Sequence, residues 1–396
     1  MKKSLALFAL SILVPVLLFA SPIQSVKNTG DSVEVSLITC SPGSEIYSLF
    51  GHTAIRYRNT NKNIDVVFNY GMFNFNKPHF IFRFILGQTD YELGVEEYQD
   101  FQTNYSYENR SVEEQVLNLT EAEKQKLYEL LLVNYMPENR TYRYNFFYDN
   151  CSTRPRDKIE ESINGKVSYL PYNEVKSYRD LIHQYTVGHP WSQFGIDLLI
   201  GAGADQPITQ REMMYIPFYL RDFFAKASIN ASTGKRPLVL KHNQLVISQS
   251  TQKGGFSLTP FQCALLLFAL TLAVTLYGSK KKKSVWIYDV VLFSVAGAAG
   301  CIIAFLMLFS SHPTVGSNYL ILALHPFYLF CLPWIIIAAR TGRKCRPEKA
   351  ILAILTLFIL ICAFLPQKFG ITVVILAFSL WVRLASHVLL TIKKKK

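Results

Sequence analysis

Five apolar runs fill the last third of the chain, at about residues 258–277, 285–309, 319–339, 350–365 and 371–390. Each approaches the ~20 residues that a helix needs to cross ~30 Å of hydrocarbon, the fourth being the shortest. In lipid the backbone must satisfy its own polar groups, so this part of the chain is expected to be an all-α bundle of five transmembrane helices. The loops set its orientation. Lys280 to Lys283, then Arg340, Arg343, Lys344, Arg346 and Lys349, then Lys393 to Lys396 follow the first, third and fifth runs, whereas 310–318 and 366–370 hold a single lysine. Basic loops stay in the cytoplasm, and an odd number of spans then puts residues 22–257 on the outer face. The other end of the chain agrees without sharing a residue with that argument. Lys2 and Lys3 precede an apolar run over 5–20 that ends in Ala20 and Ser21, the pattern of a secretory signal peptide or an uncleaved anchor. The expected organisation is therefore a signal peptide or N-terminal anchor over 1–21, an exported domain over 22–257 and a membrane domain over 258–396 with its C-terminus in the cytoplasm.

This topology explains the charge. Of the formal +13, residues 258–396 carry fifteen basic side chains against two acidic ones, Asp289 and Glu348; with Lys2 and Lys3 set aside, the exported part comes out at −2. The basic residues are topology signals, and none is left over for a nucleic-acid surface. Inside the membrane, Pro326 and Pro333 are expected to bend the third span beside His325, and Asp289 and Arg383 lie near span ends, where they can snorkel to water.

Seven cysteines divide the same way. Cys263, Cys301, Cys331 and Cys362 fall in the spans and Cys345 in a cytoplasmic loop, which leaves Cys40 and Cys151 as the exported pair. Two cysteines in an oxidising compartment commonly form a disulfide. Against that stands the setting of Cys151. Residues 141–148 alternate and carry aromatic rings, as a half-buried strand does, and 152–164 read as a helix, with Pro155 in its first turn, Ile159 and Ile163 four apart and Gly165 at its stop. Cys151 sits at that helix start, where free N–H groups and the dipole favour a thiolate.

A cysteine nucleophile needs an imidazole within hydrogen-bond reach, often oriented by a third polar group, and it sets no condition on sequence order. His52 opens an apolar, β-prone run behind Gly51 and is the candidate base. For the third group the next strand offers Asp65, Asn69 and Tyr70. Asn69 is the preferred orienter of the imidazole, although it also suits a turn before Gly71. Asn150 either caps the cysteine helix or donates to an oxyanion together with the Cys151 N–H. Arg154 and Arg156 lie in the first turns of the helix, where positive charge is unfavourable. They are candidates, with Tyr148, for substrate binding: the two arginines hold an anionic phospholipid headgroup or an acidic residue of the domain, or face solvent.

The rest of the exported domain reads as mixed. Residues 33–39, 54–58, 64–70, 91–98 and 112–119 read as strands, with a turn over 59–63 and a connection through 104–110. Residues 78–86 form a short apolar helix, and Thr120 with Glu123 forms a capping box before a helix to about Tyr135. Residues 210–225 carry many apolar side chains between basic ones around Pro217, which suits either a core helix or an interfacial one. Residues 235–248 read as a closing hairpin turning at Lys241-His242-Asn243, and Gly254-Gly255 as a hinge into the first span. His183, His189 and His242 have no metal-ligand spacing, so no metal and no cofactor is expected. The aggregate is an α+β domain with an antiparallel sheet.

Gly51-His52-Thr53-Ala54-Ile55-Arg56, Asn69-Tyr70-Gly71, Asn150-Cys151-Ser152-Thr153, Asp205 and Ile208-Thr209-Gln210-Arg211-Glu212 resemble the periplasmic domain of the Lnb-type lipoprotein N-acyltransferases over roughly residues 30–255. The C-terminal helices are similar to that family's membrane domain. The order histidine then cysteine also resembles circularly permuted papain-like enzymes, the lecithin:retinol acyltransferase and NlpC/P60 relatives, in which a cysteine carries an acyl group as a thioester. The resemblance implies a permuted papain-like exported domain with Cys151 as nucleophile and His52 as base. It implies a multi-pass protein of the bacterial inner membrane with its catalytic domain in the periplasm. The activity it implies is transfer of an acyl chain from a membrane phospholipid, through the cysteine, to the N-terminal amine of a diacylglyceryl lipoprotein. Two other readings stay open: an exported cysteine hydrolase acting on cell-wall amide bonds, and a non-catalytic membrane scaffold with a Cys40–Cys151 disulfide.

Overall fold

A computed structural model describes residues 32–73, 78–249, 257–282, 285–341 and 346–393. The expected signal peptide or N-terminal anchor over 1–21, the expected hinge at Gly254-Gly255, and Lys283, Arg343, Lys344, Cys345 and Lys394 to Lys396 lie outside the described residues. The chain runs β1 (Val33–Cys40), β2 (His52–Asn59), β3 (Ile64–Met72), α1 (Phe80–Ile85), β4 (Asp90–Glu97), α2 (Tyr98–Tyr107), β5 (Val112–Leu117), α3 (Glu121–Tyr135), β6 (Thr141–Arg143) and α4 (Thr153–Ser162). A later strand, Val239–Val246, returns to the edge beside β5. The result is one seven-stranded antiparallel sheet in the order Val239–Val246, β5, β1, β2, β3, β4, β6.

Alternation along the central strands makes two hydrophobic faces. Leu37, Ile55, Tyr57 and Phe68 point into the larger core with α3 and α4, while Ile38, Cys40, Ala54 and Val67 point to the other side, where Phe101 of α2 covers them. Fully burying an aliphatic or aromatic side chain contributes roughly 1.5–3 kcal/mol, so a register slip of one residue would exchange the two faces at prohibitive cost. The expected capping box is present at α3: the Thr120 hydroxyl accepts from the Glu123 N–H and the Glu123 carboxylate accepts from the Thr120 N–H.

Four local expectations are corrected. The aromatic strand ends at Arg143, because the Asn145 carboxamide oxygen accepts the N–H groups of Phe147 and Tyr148 and turns the chain out of the ladder. Residues 98–107 are helical, where a strand ending at 98 and a connection through 104–110 were expected. Residues 239–246 form a single strand with His242 opposite Gln115; the turn lies earlier, between Ser228–Ala231 and Gly234–Pro237, and Lys241-His242-Asn243 is polar because the strand is an exposed sheet edge. Residues 210–225 break into Gln210–Met213 and Pro217–Lys226. Met213, Met214, Ile216, Leu220 and Phe224 are buried among the core residues, which settles that segment as core and not interface.

Among the described residues, five helical stretches are long and apolar enough to cross a membrane: Pro260–Lys281, Trp286–Phe309, Tyr319–Ile337, Pro347–Phe364 and Ile371–Leu389. They are called the first to fifth spans below. The third begins with a 3-10 turn, Tyr319–Leu322, and its α-helix starts at Phe327, after Pro326. Asp289 and Arg383 do not snorkel. Arg383 donates Nε and Nη2 to the two carboxylate oxygens of Asp289, at 2.6 and 2.9 Å, with both side chains buried.

The loops poor in basic residues are the ones that meet the sheet domain. Ser311 N–H donates to Leu86 O (2.9 Å), Gly201 N–H to Thr314 O (2.8 Å) and Gln367 Nε2 to Ile200 O (3.2 Å), and Lys368 pairs with Asp180 (3.0 Å). Asp205 anchors this contact from below. It takes the Lys368 N–H while holding the buried Arg179 guanidinium, which also donates to Asp197 and Ile200 O. The side of the bundle read as outward from its charge is thus the side that carries the sheet domain.

Candidate active site

Gly51 precedes the histidine with φ +81, and a Cβ there would lie 2.7 Å from Cys40 O and 2.9 Å from the Phe218 ring, so only glycine brings the chain into β2 at this point. His52 is the first residue of β2, paired with Cys40 on β1. The β2–β3 register runs Ile55 with Phe68 and Arg56 with Val67, which puts His52 across from Gly71 when continued. Across β3 and β4, Asn69 pairs with Gly94 and Val67 with Glu96. His52, Asn69 and Glu96 therefore step diagonally over three strands on one face of the sheet.

Their side chains are linked. Asn69 Nδ2 donates to Glu96 Oε1 at 2.5 Å, which turns the carboxamide oxygen toward the imidazole. That oxygen lies 3.1 Å from His52 Nε2. An acceptor there requires the hydrogen on Nε2 and leaves the Nδ1 lone pair free, the tautomer a base needs.

Cys151 approaches from the α4 side. Asn150 caps that helix: its Oδ1 accepts the N–H groups of Ser152 and Thr153 (2.8 and 3.0 Å), and its Nδ2 donates to Phe146 O and Tyr215 O. Both amide hydrogens are spent, so the oxyanion role considered for Asn150 is replaced by the capping one. The cap is buttressed by Ser152 Oγ, 3.0 Å from Thr53 Oγ1 on β2. The Cys151 sulfur then meets the Thr53 N–H, which belongs to the peptide bond joining His52 to Thr53. On its other side, the Cys151 Cβ lies 3.5 Å from where a Cβ of residue 71 would be. The sulfur thus lies against the strand ends that carry His52 and Gly71.

The thiolate expected at a helix start is not the resting state. Burial pushes the Cys151 thiol up to about 11, against the lowering effect of the Thr53 N–H, its own N–H and the Ser152 hydroxyl. Burial likewise lowers His52 to about 4, with the Asn69 bond opposing it and Arg110 adding to it. Both groups are neutral between these values. Alkylation of Cys151 by iodoacetamide is therefore expected to rise about tenfold per pH unit from 7 to 10. A rate flat across pH 5–8 would show a preformed thiolate–imidazolium pair and sink this reading.

Cys40 and Cys151 are both free, so the disulfide does not form. Burial pushes Cys40 up to about 12, which suits a core thiol. The arginines are engaged inside the domain. Arg154 makes a two-point ion pair with Asp149 (2.5 and 2.7 Å) and lies 3.6 Å over the Tyr142 ring. Arg156 is buried, donating to Asp157 and to Arg211 O. Of the uses foreseen for them, holding an acidic residue of the domain is the one the structure builds. Tyr148 is exposed and packs edge-on to Tyr178. Glu96 was not named from the sequence, and Thr53 and Ser152 were named only as members of the stretches that carry the resemblance, with no role; the cue for Glu96 was a carboxylate two residues from Gly94 on an otherwise half-buried strand. Among the described residues no group of three or more His, Cys, Asp or Glu side chains is placed to hold a metal ion.

An α+β domain in which a helix-start cysteine meets the strand end that carries a histidine, seated on five membrane helices, defines a multi-pass membrane protein with an enzyme-like site at one membrane face. Residues 23–184 match the family model of the Lnb N-terminal periplasmic domain, and residues 250–395 that of the Lnb transmembrane domain. The chain belongs to the Lnb family, and with it to the membrane-associated enzymes of lipoprotein maturation. Comparison with curated proteins gives no significant match, nor does comparison with solved structures.

Proposed function

We propose that the protein is a lipoprotein N-acyltransferase of the bacterial inner membrane, with a periplasmic domain over 22–257 and a membrane domain over 258–396. The observation that carries this reading is the Cys151 sulfur on the N–H of the peptide that joins His52 to Thr53, with the His52 imidazole itself oriented by Asn69 and Glu96. In the first half-reaction His52 Nδ1 takes the thiol proton as sulfur attacks a phospholipid ester carbonyl. The ester C–O bond breaks, the imidazolium returns the proton to the leaving glycerol oxygen, and a lysophospholipid departs from a Cys151 thioester. In the second, the free α-amine of a diacylglyceryl-modified N-terminal cysteine attacks the thioester. His52 takes a proton from that nitrogen, the C–S bond breaks and sulfur recovers the proton, leaving an amide. The N–H groups of Thr53 and Cys151, already aimed at the sulfur, are the donors nearest the oxyanion of either step. Because both groups rest neutral, proton transfer accompanies attack, and one imidazole serves both halves.

Mass spectrometry of lipoprotein N-termini from cells carrying wild type or Cys151→Ser tests this. An N-acyl group in wild type alone is expected, together with a hydroxylamine-labile acyl adduct on the Cys151 peptide of purified protein given phospholipid vesicles. An N-acyl group in both strains rejects the mechanism. Release of peptides from cell wall without any adduct would favour the hydrolase.

A further inference from the structure

Helix α1 carries the sequence Phe80-Ile81-Phe82-Arg83-Phe84-Ile85, and its outward side chains are apolar: Ile81 is 73 % and Phe82 55 % exposed. Its one charge is turned aside, since Arg83 donates to Asp90 and to Gln88 O. A six-residue helix with that surface is unsuited to water. Its C-terminal carbonyls are satisfied by the membrane domain. His312 Nε2 meets Phe84 O at 2.6 Å, Ser310 Oγ donates to Ile85 O at 2.8 Å, and Ser311 N–H donates to Leu86 O. Gly87, at φ +68, allows this approach, because a Cβ there would lie 2.8 Å from both His312 N and Ser311 Oγ.

The second span ends at Phe309, one residue before these contacts, with Leu308 and Phe309 exposed as lipid-facing residues are. Phe82 stands 6.3 Å from the Phe305 ring of the same span. The depth of α1 is therefore fixed at the level where a membrane helix leaves the hydrocarbon, and its exposed face continues that helix's lipid-facing surface. From α1 a seam of rings leads inward. Phe80 stacks on Phe73 at 5.8 Å, Phe73 meets Tyr91 at 5.0 Å and Tyr91 stacks on Tyr144 at 4.1 Å. Tyr91 and Tyr144 lie within electrostatic range of the Cys151 sulfur, and Cys151 packs on the same core.

We infer that α1 is a foot embedded in the outer leaflet, and that a phospholipid acyl chain reaches Cys151 from the bilayer along the seam of rings running from Phe80 to Tyr144. This rests on the acyl-transfer reading and adds to it the route of the donor. A chain drawn along the seam stays in contact with apolar surface from the leaflet to the sulfur, so the ester is not carried through water.

The full-length protein in phospholipid vesicles tests the inference in two ways. A benzophenone analogue of phenylalanine placed at position 82 is expected to yield, on illumination, a protein adduct with the mass of one phospholipid. Ile81→Glu combined with Phe82→Glu is expected to lower transfer from vesicle phospholipid at least tenfold, while iodoacetamide alkylates Cys151 at the wild-type rate, which shows the site still folded. Capture of protein segments alone at position 82, or wild-type transfer by the double variant, overturns the inference. If wild type itself forms no acyl adduct, acyl transfer fails as a reading, and the crosslink still decides whether α1 is lipid-embedded.

Discussion

His52→Ala is expected to lower acyl transfer by about 10²–10⁴, the range a positioned general base contributes. The size follows from the resting states. With the thiol up at about 11 and the imidazole near 4, spontaneous ionisation supplies little thiolate at pH 7, so sulfur needs a base in the act of attack. In the proposed mechanism the same nitrogen handles the proton in both halves, so removing it should depress formation of the thioester and its transfer alike. Single-turnover measurement of the acyl adduct on Cys151, followed by chase with a lipopeptide amine, separates the two halves. Raising the pH should recover much of the lost rate in His52→Ala, because hydroxide replaces the base as the thiol begins to ionise. A variant that stays inactive at pH 10 would place the defect in the fold and not in proton transfer.

Asn69→Ala extends the argument one residue outward. Losing a buried hydrogen bond costs roughly 1–3 kcal/mol, so a fall of about tenfold or more in turnover is expected with Cys151 alkylation little changed. Asn69→Asp should act in the opposite direction on the imidazole's proton affinity: a carboxylate facing Nε2 stabilises the imidazolium and raises the His52 pKa from about 4. The acid limb of the pH–rate profile should then move upward. A profile identical to wild type would mean that the Asn69 contact does not orient the working tautomer.

What could be read from the sequence was whatever depends on neighbours in the chain. Pro155, Ile159 and Ile163 reveal a helix with Cys151 just ahead of it, and the apolar run behind Gly51 reveals a strand with His52 at its start, because periodicity and caps are local. Asn69 was reachable because it sits before a glycine on the strand after a legible turn. The partners of Arg154 and Arg156 were only half visible. Asp149 is five residues from Arg154, but Arg211 O comes from a segment 55 residues away, and nothing local announces it. Helix α2 failed for a related reason: among its ten residues Phe101 alone is buried, so no periodic stripe marks it as a helix and not a connection. The protonation state failed for a deeper one. A helix start favours a thiolate, but the cost of burying charge is set by the sheet, α4 and the ring cluster packed around the sulfur, and only the assembled fold contains that cost.

Asp289→Ala is expected to destabilise the membrane domain by about 3–5 kcal/mol, the range for breaking a buried ion pair by removal of one partner. Both members of the pair are nearly inaccessible, and the site gathers four spans. Arg383 reaches Asp289 with two nitrogens and Thr275 Oγ1 with a third at 2.9 Å, while His387 places its ring between Asp289 (2.7 Å) and Glu348 (3.2 Å). Truncating the carboxylate leaves the buried guanidinium without its paired charge, and its stem is not free to leave because Thr275 and the fifth span's own packing hold it. The site lies at the end of the bundle away from α1 and the 310–318 loop, so it locks the helices against one another and does not contact the sheet domain. Replacing both partners, Asp289→Leu with Arg383→Met, removes the stranded charge and should lie closer to wild type than either single change, by the logic of a double-mutant cycle. Thermal unfolding of detergent-solubilised full-length protein reads all four members of that cycle. An unchanged unfolding temperature in Asp289→Ala would show that Arg383 can reach water, and the buried pair would then be no clamp.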